Sequence, residues 1–248
     1  MRRGDLWRGH SSHHLAARIA VDTGYAALNS GLLNGGWPLG SLIEVCQQGF
    51  QGEWQLFMPA LLSGESRAGE SRPGNPGLIV LLNPPAEPFS QALIQAGLDL
   101  DRLVIVKATE KAPFLACFTE LTRTVACDAV LAWQPRANLT YTELRKCLLS
   151  ASEGAGLYIL FRPSSVQQQS SPASLRLISQ VVTGGLEVTV FKQKGMLQRQ
   201  QARPVVLSRP DEWRGLPPYH GLDQKPHPGK IDDKTPPLAN VSNLRGKS

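Results

Sequence analysis

The eight-residue segment Gln47–Trp54 stands where a phosphate-binding loop would follow a buried strand. Such a loop has the pattern G-x-x-x-x-G-K-[ST], in which the glycines turn backbone N–H groups toward phosphates, the lysine reaches the outer phosphates and the hydroxyl binds Mg²⁺. With Gly52 aligned on the second glycine of the pattern, Gln47 replaces the first. Glu53 then replaces the lysine, and Trp54 replaces the hydroxyl residue. The segment has one other glycine, Gly49, and taken alone it also fits an ordinary turn between a strand and a helix.

Each replacement removes a part of nucleotide chemistry. Glu53 would place a carboxylate beside a triphosphate, and two like charges about 4 Å apart repel by several kcal/mol in a partly desolvated site. Trp54 has no oxygen that could bind a metal ion, and it adds bulk. We therefore expect this segment to hold no cofactor and no catalytic residue, and we expect the chain not to hydrolyse ATP.

The cysteines and histidines predict no metal centre. None of the four cysteines forms a C-x-x-C pair, and we expect reduced thiols in a cytoplasmic protein; they are Cys46, Cys117, Cys127 and Cys147. His10, His13 and His14 lie close together, but no cysteine or second histidine cluster lies near them in sequence. No apolar run reaches the roughly 18 residues of a membrane span, and Met1–His14 lacks the apolar core of a secretory signal.

Short apolar runs at even spacing predict the strands of a mostly parallel sheet. Each run is apolar on both sides, which suits a strand covered by helices on both faces. Helical patterns separate the runs, so we predict βαβ units in an α/β domain. The predicted strands are Ser41–Cys46, Leu78–Leu82, Leu103–Val106, Ala129–Trp133 and Gly156–Phe161, and the predicted helices are Glu53–Leu62 apart from Pro59, Pro88–Ala96, Ala112–Val125 and Thr140–Ser152.

Two later segments predict a C-terminal antiparallel hairpin. Ser174–Gln180 and Leu186–Lys194 alternate apolar and polar residues, and they flank the turn Thr183–Gly185. From about Gly195 this pattern ends and prolines become frequent, so we predict a disordered tail in which Val205–Leu207 can pair locally. The predicted organisation is an N-terminal arm at residues 1–20, an α/β domain at 21–195 and a basic, proline-rich tail at 196–248.

The C-terminal segment 192–248, which includes the predicted tail, carries the whole charge imbalance of the chain, which is +6. Residues 1–191 hold 15 Lys/Arg and 15 Asp/Glu, whereas residues 192–248 hold 11 and 5. Aromatic side chains among basic ones can anchor in a protein groove or stack on nucleic-acid bases. For an interacting tail we favour a protein groove over nucleic-acid bases, and a tail that only solubilises the chain stands as an equal alternative. The predicted partner-binding residues are Arg209, Trp213, Arg214 and Tyr219.

The sequence around the degenerate loop resembles the RecA recombinases. Thr23–Leu28 and Gly35–Glu44 are similar to the lead-in to the RecA phosphate-binding loop, with T-G, a leucine-rich turn, G-G-x-P-x-G and a strand that ends in acidic residues. Leu81–Leu103 is similar to the next RecA segment, with its catalytic acidic residue, a helix and G-[VL]-D-[IL]-D-x-L. The resemblance implies a RecA-like sheet with a decayed ATP site, because Pro85 falls on the position of the water-activating glutamate and cannot act as a base.

The same resemblance makes Ala129–Trp133 the strand that should lead to a magnesium-binding aspartate. It runs instead into Trp133-Gln134-Pro135, and Asp128 lies at its opposite end. We expect Trp133 to be buried against the sheet.

The resemblance narrows to ImuA, a family of accessory proteins of translesion DNA synthesis, over residues 22–195. It implies a non-catalytic role in SOS-induced mutagenesis through contacts with ImuB (an inactive Y-family polymerase relative), with RecA and with an error-prone replicative-type polymerase. The segments that carry it are Asn34–Glu44, Gly52–Leu56, Ala96–Leu103, Asp128–Trp133 and Ser171–Leu177.

Two other functions stand as alternatives at this point. SulA, an SOS-induced division inhibitor that binds FtsZ, resembles the middle of the chain, but it lacks most of the sequence beyond Arg162. A working RecA-class ATPase would need the three catalytic parts that are replaced here. Whether the chain binds single-stranded DNA directly stays open.

Overall fold

The structure, a computed structural model, describes residues 19–48, 53–64, 76–183, 185–195 and 203–208. The strands within these ranges are β1 (Ala20–Val21), β2 (Trp37–Pro38), β3 (Ser41–Gln47), β4 (Leu78–Leu82), β5 (Leu103–Val106), β6 (Cys127–Trp133), β7 (Leu157–Pro163), β8 (Leu175–Val182), β9 (Gly185–Gln193) and β10 (Val205–Ser208). The α-helices are α1 (Ala26–Asn29), α2 (Met58–Leu62), α3 (Ser90–Gln95), α4 (Lys111–Arg123) and α5 (Tyr141–Glu153). Short 3₁₀ helices lie at Leu33–Gly35, Glu53–Phe57, Leu100–Arg102 and Ser164–Val166.

Eight of the strands form one sheet in the order β10-β9-β8-β3-β7-β6-β4-β5. Strands β3 to β8 pair in parallel, whereas β9 is antiparallel to both β8 and β10. This confirms the predicted α/β architecture, with a largely parallel sheet, helices around it and an antiparallel hairpin. The hairpin continues into β10, which lies in the segment that the sequence assigned to the tail.

The central strands are buried on both sides because their alternate residues enter two separate cores. From β3, Ile43 and Val45 join one core and Leu42 joins the other. We call the sheet surface toward Ile43 the first face; the N-terminal elements, the Glu53–Phe57 turn, α2 and α3 pack there. The opposite surface, the second face, is covered by α4 and α5.

A small two-stranded sheet fixes the N-terminal elements on the first face. Val21 of β1 pairs with Trp37 of β2, and Trp37 is fully buried. The backbone approaches closely at this point, since a Cβ atom added to Gly36 would lie 2.1 Å from the carbonyl oxygen of Val21. A side chain at position 36 would therefore push the two strands apart.

The longest helices, α4 and α5, begin and end close to where the sequence predicts them. Thr140 caps α5: its hydroxyl accepts from the backbone N–H of Glu143, and the Glu143 carboxylate accepts from the Thr140 backbone N–H. Such reciprocal bonds satisfy two donors that a helix start leaves free. The two helices are also joined by ion pairs from Lys111 to Glu143 and from Arg123 to Glu153.

The predicted helix over Glu53–Leu62 is divided in the structure. The chain forms a 3₁₀ helix from Glu53 to Phe57 and only then the α-helix α2. Pro59 lies in the first turn of α2, where its missing N–H leaves no backbone bond unmade. The division therefore places the proline at a helix start rather than in a helix interior.

Candidate functional site

The candidate phosphate loop begins at the carboxyl end of β3. Gln47, its first residue, ends the strand between Pro163 of β7 and Ser179 of β8, and it is buried. Gly49 and Gly52 lie outside the described residues, and nothing is described of the Glu53 side chain. Trp54, at the position of the metal-binding hydroxyl, is half-buried and packs against the first-face core.

The carboxyl ends of the neighbouring strands β4 and β6 are tied to each other. After β4, the backbone N–H of Asn83 donates to the carbonyl of Val106, and its side-chain amide donates to the carbonyl of Trp133 at 3.3 Å. Asn83 adopts a left-handed backbone conformation with φ of 59°. Pro85, two residues further on, is exposed. The Asn83 amide thus joins the carboxyl end of β4 to that of β6.

Four aromatic rings fill the first face beneath these strand ends. Trp133 stacks on Phe161 of β7 at 4.7 Å between ring centroids, and Phe161 meets Phe57 edge-on at 6.0 Å. Phe57 in turn contacts Trp37 at 4.7 Å. We call Trp37, Phe57, Trp133 and Phe161 the aromatic row; all four are buried, which confirms the expected burial of Trp133. The turn after the candidate loop is thus held by apolar packing.

Asp128 lies at the amino end of β6, as the sequence indicates. Its carboxylate accepts from the backbone N–H of Gly77 at 2.6 Å and from Arg102 at 3.3 Å, and Arg102 also donates to the carbonyl of Gly77. These contacts fix the start of β4 against β6. Asp128 therefore has a structural role far from the carboxyl ends of the strands.

The second face holds a buried ionic cluster that the sequence patterns did not predict. Glu44 is fully buried; its Oε1 accepts from Nε and Nη2 of Arg176 at 2.9 and 2.6 Å, and its Oε2 accepts from the Ser171 hydroxyl at 2.6 Å. Nη1 of Arg162 lies 3.4 Å from Oε2. That pair is within ion-pair distance but lacks hydrogen-bond geometry, and Nη1 of Arg162 makes no hydrogen bond among the described residues. We call Glu44, Arg162, Ser171 and Arg176 the ionic cluster.

Further contacts surround the two guanidinium groups. Arg162 donates from Nε to the Gln134 amide oxygen at 2.6 Å, and Arg176 lies 4.8 Å above the Phe191 ring. Lys192 donates to the carbonyl of Ser171. Two arginines thus flank one carboxylate, and the contacts of the cluster join β3, β7, β8, β9 and the segment before β8.

The environment of the cluster changes the acidity of two neighbouring groups. Burial raises the pKa of the Cys46 thiol to about 11, and the negative charge of Glu44 adds to the rise. Burial lowers the pKa of Lys192, and repulsion from Arg176 lowers it further. The hydrogen bonds and ion pairs of the cluster brace neighbouring strands of the sheet against one another.

A sequence signal for this cluster exists. Glu44, Arg162 and Arg176 each interrupt an apolar strand, and residues of opposite charge inside apolar strands are expected to be paired. In the sheet, Glu44 lies directly beside Arg176, and Arg162 lies beside Cys46.

The predicted partner-binding residues Arg209, Trp213, Arg214 and Tyr219 lie outside the described residues. Within the described ranges, no three His, Cys, Asp or Glu side chains converge as a metal-binding group. None of the described helices has the length and apolar character needed to span a membrane.

Comparison of the chain with known protein families and with curated proteins finds no matching family model and no matching protein.

Proposed function

We propose that the chain is a non-catalytic, cytoplasmic accessory protein of SOS-induced translesion DNA synthesis, built on a RecA-like sheet whose ATP site has decayed. The observation that carries this proposal is the packing at the carboxyl ends of the parallel strands. Ligands of open α/β sheets bind at this edge. Here the described part of the edge carries a buried Gln47, an amide bridge from Asn83 to Trp133 and the aromatic row beneath them.

The sheet topology supports the RecA-like part of the proposal. The strand that leads into the candidate loop, β3, lies inside the sheet between β7 and β8, with βαβ units on one side and the hairpin on the other. Such an architecture binds and hydrolyses ATP when a phosphate-binding loop and catalytic carboxylates lie at the carboxyl ends of its strands. With Glu53, Trp54 and Pro85 at the lysine, hydroxyl and general-base positions, the same scaffold is left to present surfaces to other proteins.

The proposed partners come from the ImuA resemblance. We propose contacts with an ImuB-like Y-family protein and with RecA, and a functional association with an error-prone replicative-type polymerase. The basic segment beyond β10, with Trp213 and Tyr219 among its arginines, supplies the proposed contact residues.

A truncation after Ser208 tests the proposal while it keeps β10 in the sheet. The shortened chain should retain its melting temperature but lose affinity for the ImuB-like protein in a purified two-component assay, and damage-induced mutagenesis should fall. Trp213→Ala should reproduce part of the loss, and Trp213→Phe should restore much of it if an aromatic anchor is required.

Other outcomes would redirect the assignment. Filamentous growth on expression, together with FtsZ binding, would favour the SulA-like alternative. Hydrolysis of ATP by the purified chain would overturn the non-catalytic part of the proposal. Full partner affinity and full mutagenesis in the truncated chain would show that the tail is only a solubilising extension.

A further inference from the structure

The outer side of α5 combines exposed apolar groups with cations. Tyr141, Arg145 and Leu149 are spaced four residues apart, so they lie along one ridge of the helix. Tyr141 and Leu149 are 48% and 49% exposed, and Arg145 is exposed between them. The opposite side of α5 is buried against the second face through Leu144 and Cys147. We call Tyr141, Arg145 and Leu149 the α5 ridge.

The α5 ridge has an unbalanced positive charge. Both acidic residues of α5, Glu143 and Glu153, form ion pairs with α4. Arg145 and the neighbouring exposed Lys146 form no ion pair with any described residue. The two carboxylates of α5 are already paired with cations of α4. A partner protein that supplies carboxylates of its own would therefore neutralise the positive charge of Arg145 and Lys146.

We propose that the α5 ridge docks an acidic, amphipathic segment of another protein. Tyrosine and arginine are the residue types that most often dominate binding energy, and complementary charge sets the register of a contact. Eight residues of helix separate the two apolar ends of the ridge by about 12 Å at 1.5 Å per residue. The partner segment must therefore place two apolar side chains about 12 Å apart, a spacing that about two turns of helix provide. It must also carry a carboxylate between them that can pair with Arg145.

A protein segment fits the α5 ridge better than a nucleic acid. Leu149 exposes an aliphatic side chain, and a phosphate backbone has no apolar group that would pack against it. Arg145 and Lys146 supply only two charges, whereas nucleic-acid affinity depends on neutralising many phosphates. This surface is independent of the tail and of the proposed function, so either can fail without the other.

Fluorescence anisotropy with a designed peptide tests the proposal on the full chain. The probe is a labelled helical 18-residue peptide with leucines eight residues apart on one side and glutamates around them. Its affinity should fall at least fivefold with Leu149→Ala, Tyr141→Ala or Arg145→Glu. Thr142→Ala, on the same helix and also exposed, is the matched control and should bind as the unchanged chain does. Melting temperatures of all variants should agree, because these side chains make no described core contact.

Two further probes decide between the possible ligands. A peptide with lysines in place of the glutamates should bind at least fivefold more weakly than the acidic one. A labelled single-stranded 20-mer oligonucleotide should show no loss of binding on Leu149→Ala. The proposal is overturned if the acidic peptide does not bind, if the ridge variants bind it with unchanged affinity, or if the basic peptide binds with the same affinity as the acidic one. It is also overturned if the oligonucleotide binds more tightly than the acidic peptide, with an affinity that falls steeply with salt and is lost in the ridge variants.

Discussion

The two faces of the sheet around β3 and β7 are built in opposite ways. On the first face, the aromatic row fills the space with rings that need few polar partners. On the second face, the ionic cluster buries one carboxylate between the side chains of two arginines. Apolar packing tolerates gradual change, whereas a buried charge fails abruptly when its counter-charge is removed. We therefore expect the first face to be the more tolerant of substitution and the second face to be the more vulnerable.

Glu44→Gln should produce the largest effect. It leaves the guanidinium groups of Arg162 and Arg176 buried without a full counter-charge, and breaking a buried pair lowers the free energy of unfolding by about 3–5 kcal/mol. Urea denaturation of the full chain measures this. Glu153→Gln removes an exposed ion pair with Arg123 and should leave the midpoint nearly unchanged. Equal midpoints for the two variants would mean that the ionic cluster does not brace the sheet.

The buried thiol of Cys46 predicts how the stability of the fold depends on alkaline pH. The pKa of Cys46 is raised from 9.0 to about 11, so the folded chain holds this proton after the unfolded chain has lost it. Stability should therefore fall between about pH 9 and pH 11, and two pKa units correspond to up to about 3 kcal/mol. Cys46→Ala should make the decline shallower. Cys117→Ala, at a half-buried thiol, is the control; if the two variants give the same slope, Cys46 does not cause the decline.

Phe161→Leu should produce a smaller loss on the first face. The change keeps most of the apolar volume but removes the ring contacts with Trp133 and Phe57. Since each such contact contributes about 0.5–1.5 kcal/mol, we expect a loss of about 1–2 kcal/mol in the free energy of unfolding. Phe89→Leu, at a 67% exposed ring, should change little. A loss as large as that of Glu44→Gln would remove the proposed difference between the two faces.

Mg-ATP should have no measurable effect on the melting temperature. A ligand at about 100 times its Kd stabilises a protein by about 2.7 kcal/mol, so even weak binding would be visible at millimolar nucleotide. The replacements at Glu53 and Trp54, together with the aromatic packing of Trp54 and Phe57 after the loop, are the physical reason for expecting none. A reproducible upward shift would show that the loop still binds nucleotide.

The elements that could be predicted from sequence are those that local pattern determines. Leu78–Leu82 and Leu103–Val106 match their strands because each is a short apolar run with a helical pattern before it and another after it in the sequence. The hairpin at β8 and β9 results from alternation around a glycine turn. α5 begins directly after Thr140 because the hydroxyl and Glu143 together cap it.

The features that sequence did not predict depend on which strands become neighbours. Glu44 and Arg176 are 132 residues apart, and no local pattern indicates that their strands pair. The aromatic row likewise joins rings from four separate segments. The division of Glu53–Leu62 into a 3₁₀ helix and α2 reflects tertiary packing of Phe57 and Met58 that overrides helical periodicity. The predicted partner-binding residues lie outside the described ranges, so their roles remain predictions.

The position of β3 also sets the order of events during synthesis. Its neighbours in the sheet are β7 and β8, which the ribosome makes long after it. Arg176 follows Glu44 by 132 residues. At about 5–20 residues per second, the ribosome therefore adds Arg176 roughly 7 to 26 s after Glu44. Until β7 is made, an apolar strand with a single carboxylate has neither edge covered, which is a state prone to aggregation. A chain released before β7 is complete would therefore lack the strand that joins β3 to β6 in the middle of the sheet.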